Sequence, residues 1–141
     1  MKRILVGMDG TAEARRVADF AATRAHAEGR ELVLAHVLPA RSDALLFDPE
    51  YVAWRAWTRE RSAQELEEIA QREARENAQV HTRLLESDDA AGALAKAAQQ
   101  DPLVELVVVG RRARGTLAGA IAGSVADRLV QICKKPVLVV R

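Results

Sequence analysis

The chain has 141 residues, 49% of them hydrophobic and 29% charged, with a net charge of +1, which is the size and balance of one soluble globular domain over residues 1–141. So small a net charge gives no bulk electrostatic case for nucleic acid or a membrane surface as partner. The lone cysteine, Cys133, excludes an intramolecular disulfide, and no apolar run reaches the length of a membrane span.

Ile4-Leu5-Val6-Gly7 reads as a buried strand. Its apolar run after Met1-Lys2-Arg3 is too short for a signal-sequence core, so the cytoplasm is the expected compartment. Asp9-Gly10-Thr11 reads as a turn with a potential helix cap. Ala14, Val17, Ala18, Ala21, Ala22 and Ala25 follow at helical spacing, and Gly29 ends the helix. Leu32 to Val37 is a second buried strand, stopped by Pro39.

Residues 40–57 hold Pro49, Tyr51, Trp54 and Trp57 without a clean period. They read as a mobile loop running into a helix, with the tryptophans covering the core. Over 58–76 a narrow apolar stripe of Ala63, Leu66, Ile69, Ala70 and Ala74 predicts an amphipathic helix, and Asn77 suits its end. Val80 to Leu85 alternates and reads as a strand. Ser87 or Asp88 is positioned to cap a helix carrying Ala91, Leu94, Ala95 and Ala98.

Val104 to Val109 is the most apolar strand. A loop rich in Gly and Arg follows Gly110, with Arg111, Arg112 and Arg114 inside it, and Gly123-Ser124 opens a helix with Val125, Leu129, Ile132 and Cys133. Ser124 and Asp127 have capping-box spacing. Pro136 introduces a last strand, Val137 to Val140.

Continuous apolar strands alternating with helices predict a single doubly wound α/β domain, a five-stranded parallel sheet with helices on both faces. Ligands in such sheets bind beyond the strand C-terminal ends, where the strand order reverses. Two loops there carry unusual chemistry, Gly7 to Thr11 and the loop after Gly110. Glycines admit an anion close to backbone N–H groups, and a helix N-terminus supplies more of them. Each feature also has a plainer reading: Gly123-Ser124 as a simple helix cap, Asp9 as a turn former. His26, His36, His81 and Cys133 show no metal-ligand spacing; His36 reads as a core or rim histidine.

With Ile4 to Thr11, Leu34 to Val37, Val107 to Leu117, Gly123 to Leu129 and Lys135 to Val140 in this order, nearly the whole chain resembles the universal stress protein family. The resemblance implies strand order 3-2-1-4-5 and ATP, with Mg2+ as a possible companion, at the ends of strands 1, 2 and 4. Its phosphate motif maps onto Gly110, Ala113 and Gly123-Ser124, with alanine where the family's middle glycine stands. It further implies Asp9 on the ribose or phosphate side, the main chain of Val37 on the adenine edge, and Val109 near the base. Gly7 would lie close to the nucleotide, and the N–H groups of Gly123, Ser124 and Val125 would hold the phosphates. It implies a homodimer through the last strand, 137–141, and a role as a nucleotide-dependent sensor or adaptor in stress response, read by a further protein partner. The rival is a nucleotide-free homodimer of the same fold. No carboxylate, histidine or lysine is evidently set beside the phosphates, so binding is better supported than catalysis; slow ATP hydrolysis stays open.

Overall fold

A computed structural model describes residues 2–74, 79–111 and 124–141, with the backbone alone for Ser124. The elements are β1 (Arg3–Met8), α1 (Ala12–Glu28), β2 (Glu31–Leu38), a 3-10 turn (Asp43–Leu45), α2 (Pro49–Glu73), β3 (Val80–Glu86), α3 (Ala90–Gln100), β4 (Val104–Gly110), α4 (Ser124–Ile132) and β5 (Val137–Val140). The sheet order is β3-β2-β1-β4-β5, all pairs parallel. The chain moves outward from β1 through β2 to β3, then crosses to the other side for β4 and β5. The reversal therefore falls between β1 and β4.

The three central strands β2, β1 and β4 bury both faces, which is why their sequences are largely apolar without alternation. Ile4, Val6, Leu32, Leu34 and Val108 pack on one face against α1 and α2. Leu5, Val33, Val107 and Val109 pack on the other against α3 and α4. Helix α1 meets the sheet with Ala14, Val17, Ala18, Ala21, Ala22 and Ala25 only. Such small side chains bring the helix close to the sheet, and Gly29, at φ 66°, stops it in the left-handed conformation that glycine adopts without strain.

Four local expectations are corrected. Residues 49–57 are helical: Asp48 caps α2 by accepting from the Glu50 N–H at 2.9 Å, and Pro49 takes the first turn, where its missing N–H costs nothing. The first buried residue of α2 is Leu66, so its opening turns have no core-facing period to detect. Trp54 and Trp57 do not cover the core but stand 50% and 58% exposed. The cap of α3 is Asp89, not Ser87 or Asp88; its carboxylate accepts from the Gly92 N–H at 3.0 Å. Helix α4 ends at Ile132, before Cys133, and buries Ala126 and Leu129, leaving Val125 and Ile132 exposed. The end of α2 around Asn77 lies outside the described residues.

Candidate functional site

A cleft of about 250 Å³ opens at the C-terminal ends of β1, β2 and β4, at the reversal of strand order. Of the residues expected there, Gly7, Asp9, Val37, Val109, Gly110 and Val125 all line it. Ser124 begins α4, one residue before Val125. Ala113 and Gly123, with Arg112 and Arg114, lie outside the described residues.

The turn between β1 and α1 is built by Asp9 and Gly10. Asp9 Oδ1 accepts from the Thr11 backbone N–H at 3.0 Å and from Thr11 Oγ1 at 2.5 Å. Gly10 sits at φ 79°, a conformation that disfavours a side chain. Thr11 occupies the cap position of α1, yet its side chain makes no capping bond. The carboxylate of Asp9 thus holds the turn, and Asp9 also lines the cleft.

Strand β2 runs past β1. Its last pairing with β1 is His36 opposite Met8, while Val37 and Leu38 continue to pair with Leu85 and Glu86 of β3. The main-chain groups of Val37 point towards β1: its N–H meets the Met8 carbonyl in that last pairing, and its carbonyl lies past the end of the ladder. A backbone edge of that kind, at the wall of a cleft, can meet the donor–acceptor edge of a planar heterocycle.

Two of the glycines have packing reasons that sequence reading did not supply. A Cβ on Gly7 would stand 2.8 Å from Leu94 Cδ1 and 3.0 Å from Val109 Cγ1, and one on Gly110 would stand 2.8 Å from Val17 Cγ2. Their smallness lets α1 and α3 close on the ends of β4 and β1. Helix α4 is held by a bidentate contact, Arg128 Nε and Nη2 to the two oxygens of Asp89, at 3.2 and 2.8 Å. The Arg128 guanidinium, followed by the Gly92 N–H, holds the Asp89 carboxyl below its ordinary value. One carboxylate thereby caps α3 and fixes α4 beside it.

Sequence reading missed His36 as a wall of this site. Its Nδ1 lies 2.8 Å from the Met8 carbonyl, which can only accept, so Nδ1 carries the proton and Nε2 of the neutral ring is an acceptor. This bond ties the ends of β1 and β2 together at the mouth of the cleft. The signal was available only in three dimensions, because His36 sits in an uninterrupted apolar strand. Charged side chains at the cleft are Asp9, Glu13, Arg16 and Arg111; Glu13 and Arg16 pair with each other at 3.3 Å, and the Arg111 backbone N–H donates to the Val140 carbonyl at 2.8 Å. Among the described residues no group of three or more His, Cys, Asp or Glu is arranged to hold a metal, and no helix is long and apolar enough to cross a membrane.

These features define a doubly wound α/β domain with a cleft at its topological switch point, the place where sheets of this kind bind ligands. The profile described as "Universal stress protein family" matches residues 1–141, and the chain belongs to that family. A universal stress protein of Mycobacterium tuberculosis is 32% identical over 139 residues, which are 98% of this chain and 44% of the relative. The chain thus spans less than half the length of that relative. A solved structure from the family in Burkholderia pseudomallei superposes with a TM-score of 0.76 at 28% identity, covering 99% of this chain and 95% of that one. A universal stress protein solved in complex with cAMP superposes with a TM-score of 0.68 at 25% identity, covering 99% and 96%.

Proposed function

We propose that the protein binds an adenine nucleotide, ATP in the first place, in the cleft between β1, β2 and β4. The observation that carries this reading is the convergence on one cleft of the Val37 main chain at the end of the β1–β2 ladder, the Asp9 turn and the first turn of α4. The main chain of Val37 faces the adenine edge, Val109 and Gly7 floor the base, and Asp9 takes the ribose or phosphate side. Gly110, Ala113, Gly123, Ser124 and Val125 cradle the phosphates, helped by the backbone amides of the α4 start. Arg111 adds a cation at the cleft. Mg2+ arrives with the phosphates, keeping most of its water; Asp9 and Glu13 are the described carboxylates that line the cleft. The cAMP complex of the structural relative supports an adenine ligand.

Function then follows as a cytoplasmic sensor or adaptor in stress response, in which a protein partner reads the nucleotide-bound state. The chain pairs with a second copy through β5, an edge strand of four apolar residues, none fully buried.

Alanine at 113 favours a second reading, a nucleotide-free homodimer. If the middle glycine of the motif is needed for positive φ, alanine there costs about 1–2 kcal/mol, and about 1.4 kcal/mol is one decade of affinity. ATP affinity is therefore expected to be roughly tenfold tighter in Ala113→Gly. Mass analysis of the ligand that co-purifies with the protein, with ATP titrations of parent and Ala113→Gly, tests both readings. An adenine nucleotide in the purified protein and the expected gain support the sensor; no ligand, and no binding by either protein at millimolar ATP, leaves the nucleotide-free dimer.

A further inference from the structure

A second cavity, of about 260 Å³, lies between the start of α1 and the middle of α2, and shares only Met8, Ala14 and His36 with the cleft. Its apolar part is Met8, Leu66 and Ile69, all buried. Polar side chains of different chemistry complete it: Arg15, Ser62 and His36, with Glu65 and with Thr11, whose hydroxyl already donates to Asp9.

The charges narrow the ligand. Arg16 and Arg24, the other arginines of α1, are paired with Glu13 and Glu28 at 3.3 and 3.1 Å, whereas Arg15 makes no ion pair with a described residue. The carboxylate in the wall, Glu65, is already matched by Arg61 at 3.1 Å. A guanidinium at the rim of an apolar pocket selects a carboxylate or similar planar anion. With Nδ1 committed to the Met8 carbonyl, the remaining polar atom of the neutral His36 ring is an acceptor, Nε2, and it calls for a donor. Ser62 both donates and accepts.

We infer that this second cavity binds a hydroxylated aromatic carboxylate of the hydroxybenzoate type: the ring on Met8, Leu66 and Ile69, the carboxylate on Arg15, the hydroxyl on His36 or Ser62. Nucleotide in the neighbouring cleft is not required for it. The test titrates the full chain with the three hydroxybenzoate isomers, benzoate and phenol, following the side-chain methyl resonances by NMR. At least one isomer is expected to shift the Met8, Leu66 and Ile69 methyls saturably, and benzoate and phenol to bind more weakly. Arg15 is exposed, so Arg15→Gln leaves the fold intact; it is expected to weaken the hydroxybenzoate about tenfold and leave phenol unchanged. Absence of saturable shifts up to roughly 10 mM, a range that would still detect millimolar affinity, overturns the inference. So do equal affinities in parent and Arg15→Gln, and so do shifts at Leu94 and Val109, which would put the ligand in the cleft.

Discussion

Replacing Gly110 with alanine separates two reasons for a glycine at the end of β4, helix packing and nucleotide approach. A Cβ there meets Val17 Cγ2 at 2.8 Å, and Val17 is only 2% exposed on α1, so it has little room to yield. Gly110 is not among the positive-φ glycines, so alanine brings no backbone strain and the cost is steric. Overpacking of this kind costs about 1–3 kcal/mol. Val17→Ala alone removes two buried carbons and costs about 2 kcal/mol. In the double variant the new methyl enters the space left by the Val17 γ carbons, so the two losses add to less than their sum by about 1 kcal/mol or more. Urea unfolding of the four proteins at one pH, followed by far-UV circular dichroism, measures the coupling, provided the m-values agree. Losses that add to within about 0.5 kcal/mol refute the packing contact. ATP titration of the double variant answers the other half: retained affinity assigns the glycine to packing, and lost affinity assigns it to the nucleotide.

Other expectations concern the edges of the fold. Glu73, 9% exposed at the end of α2, is pushed up to about 7 by burial and then by the neighbouring Asp19 carboxylate, with Arg72 opposing. Because this value is raised in the folded state, the associated stability is full below the ordinary 4.5 and is lost as pH rises through about 7. The whole displacement corresponds to at most about 3 kcal/mol, and water at the helix edge lowers the expected effect to about 1–2 kcal/mol. Glu73→Gln should therefore gain stability over the parent at pH 8 relative to pH 5, by urea unfolding; an equal difference at both pH values contradicts it. Light scattering at micromolar concentration should give a dimer for the full chain and a monomer after removal of 137–141; a stable dimer in the truncated chain would move the interface away from β5.

Most of the fold was legible because burial on both faces makes β1, β2 and β4 continuous apolar runs, and α1 an unbroken series of small residues. Reading failed where structure did not depend on burial. The first half of α2 contributes nothing to the core, so only the Asp48 cap and Pro49 mark its start, and Pro49 equally suits a loop. Ser87, Asp88 and Asp89 stand in a row, and only the position of the Gly92 N–H distinguishes the cap. Within the site, glycines and the aspartate were visible as loop chemistry after strands. The bond from His36 to Met8 joins residues 28 positions apart and depends on the β1–β2 register, which no local pattern specifies. The packing demands on Gly7 and Gly110 likewise come from Leu94 and Val17 on other elements.

The central claim is that an adenine nucleotide occupies the cleft with its phosphates at the start of α4. Calorimetric titration with ATP and Mg2+, on the parent and on Gly123→Val side by side, addresses it directly. A valine at 123 blocks the approach of an anion to the backbone amides that follow it. The account predicts saturable binding by the parent and none by a variant that remains folded by circular dichroism. Equal affinity in the two proteins, or no binding by the parent at millimolar ATP, contradicts it.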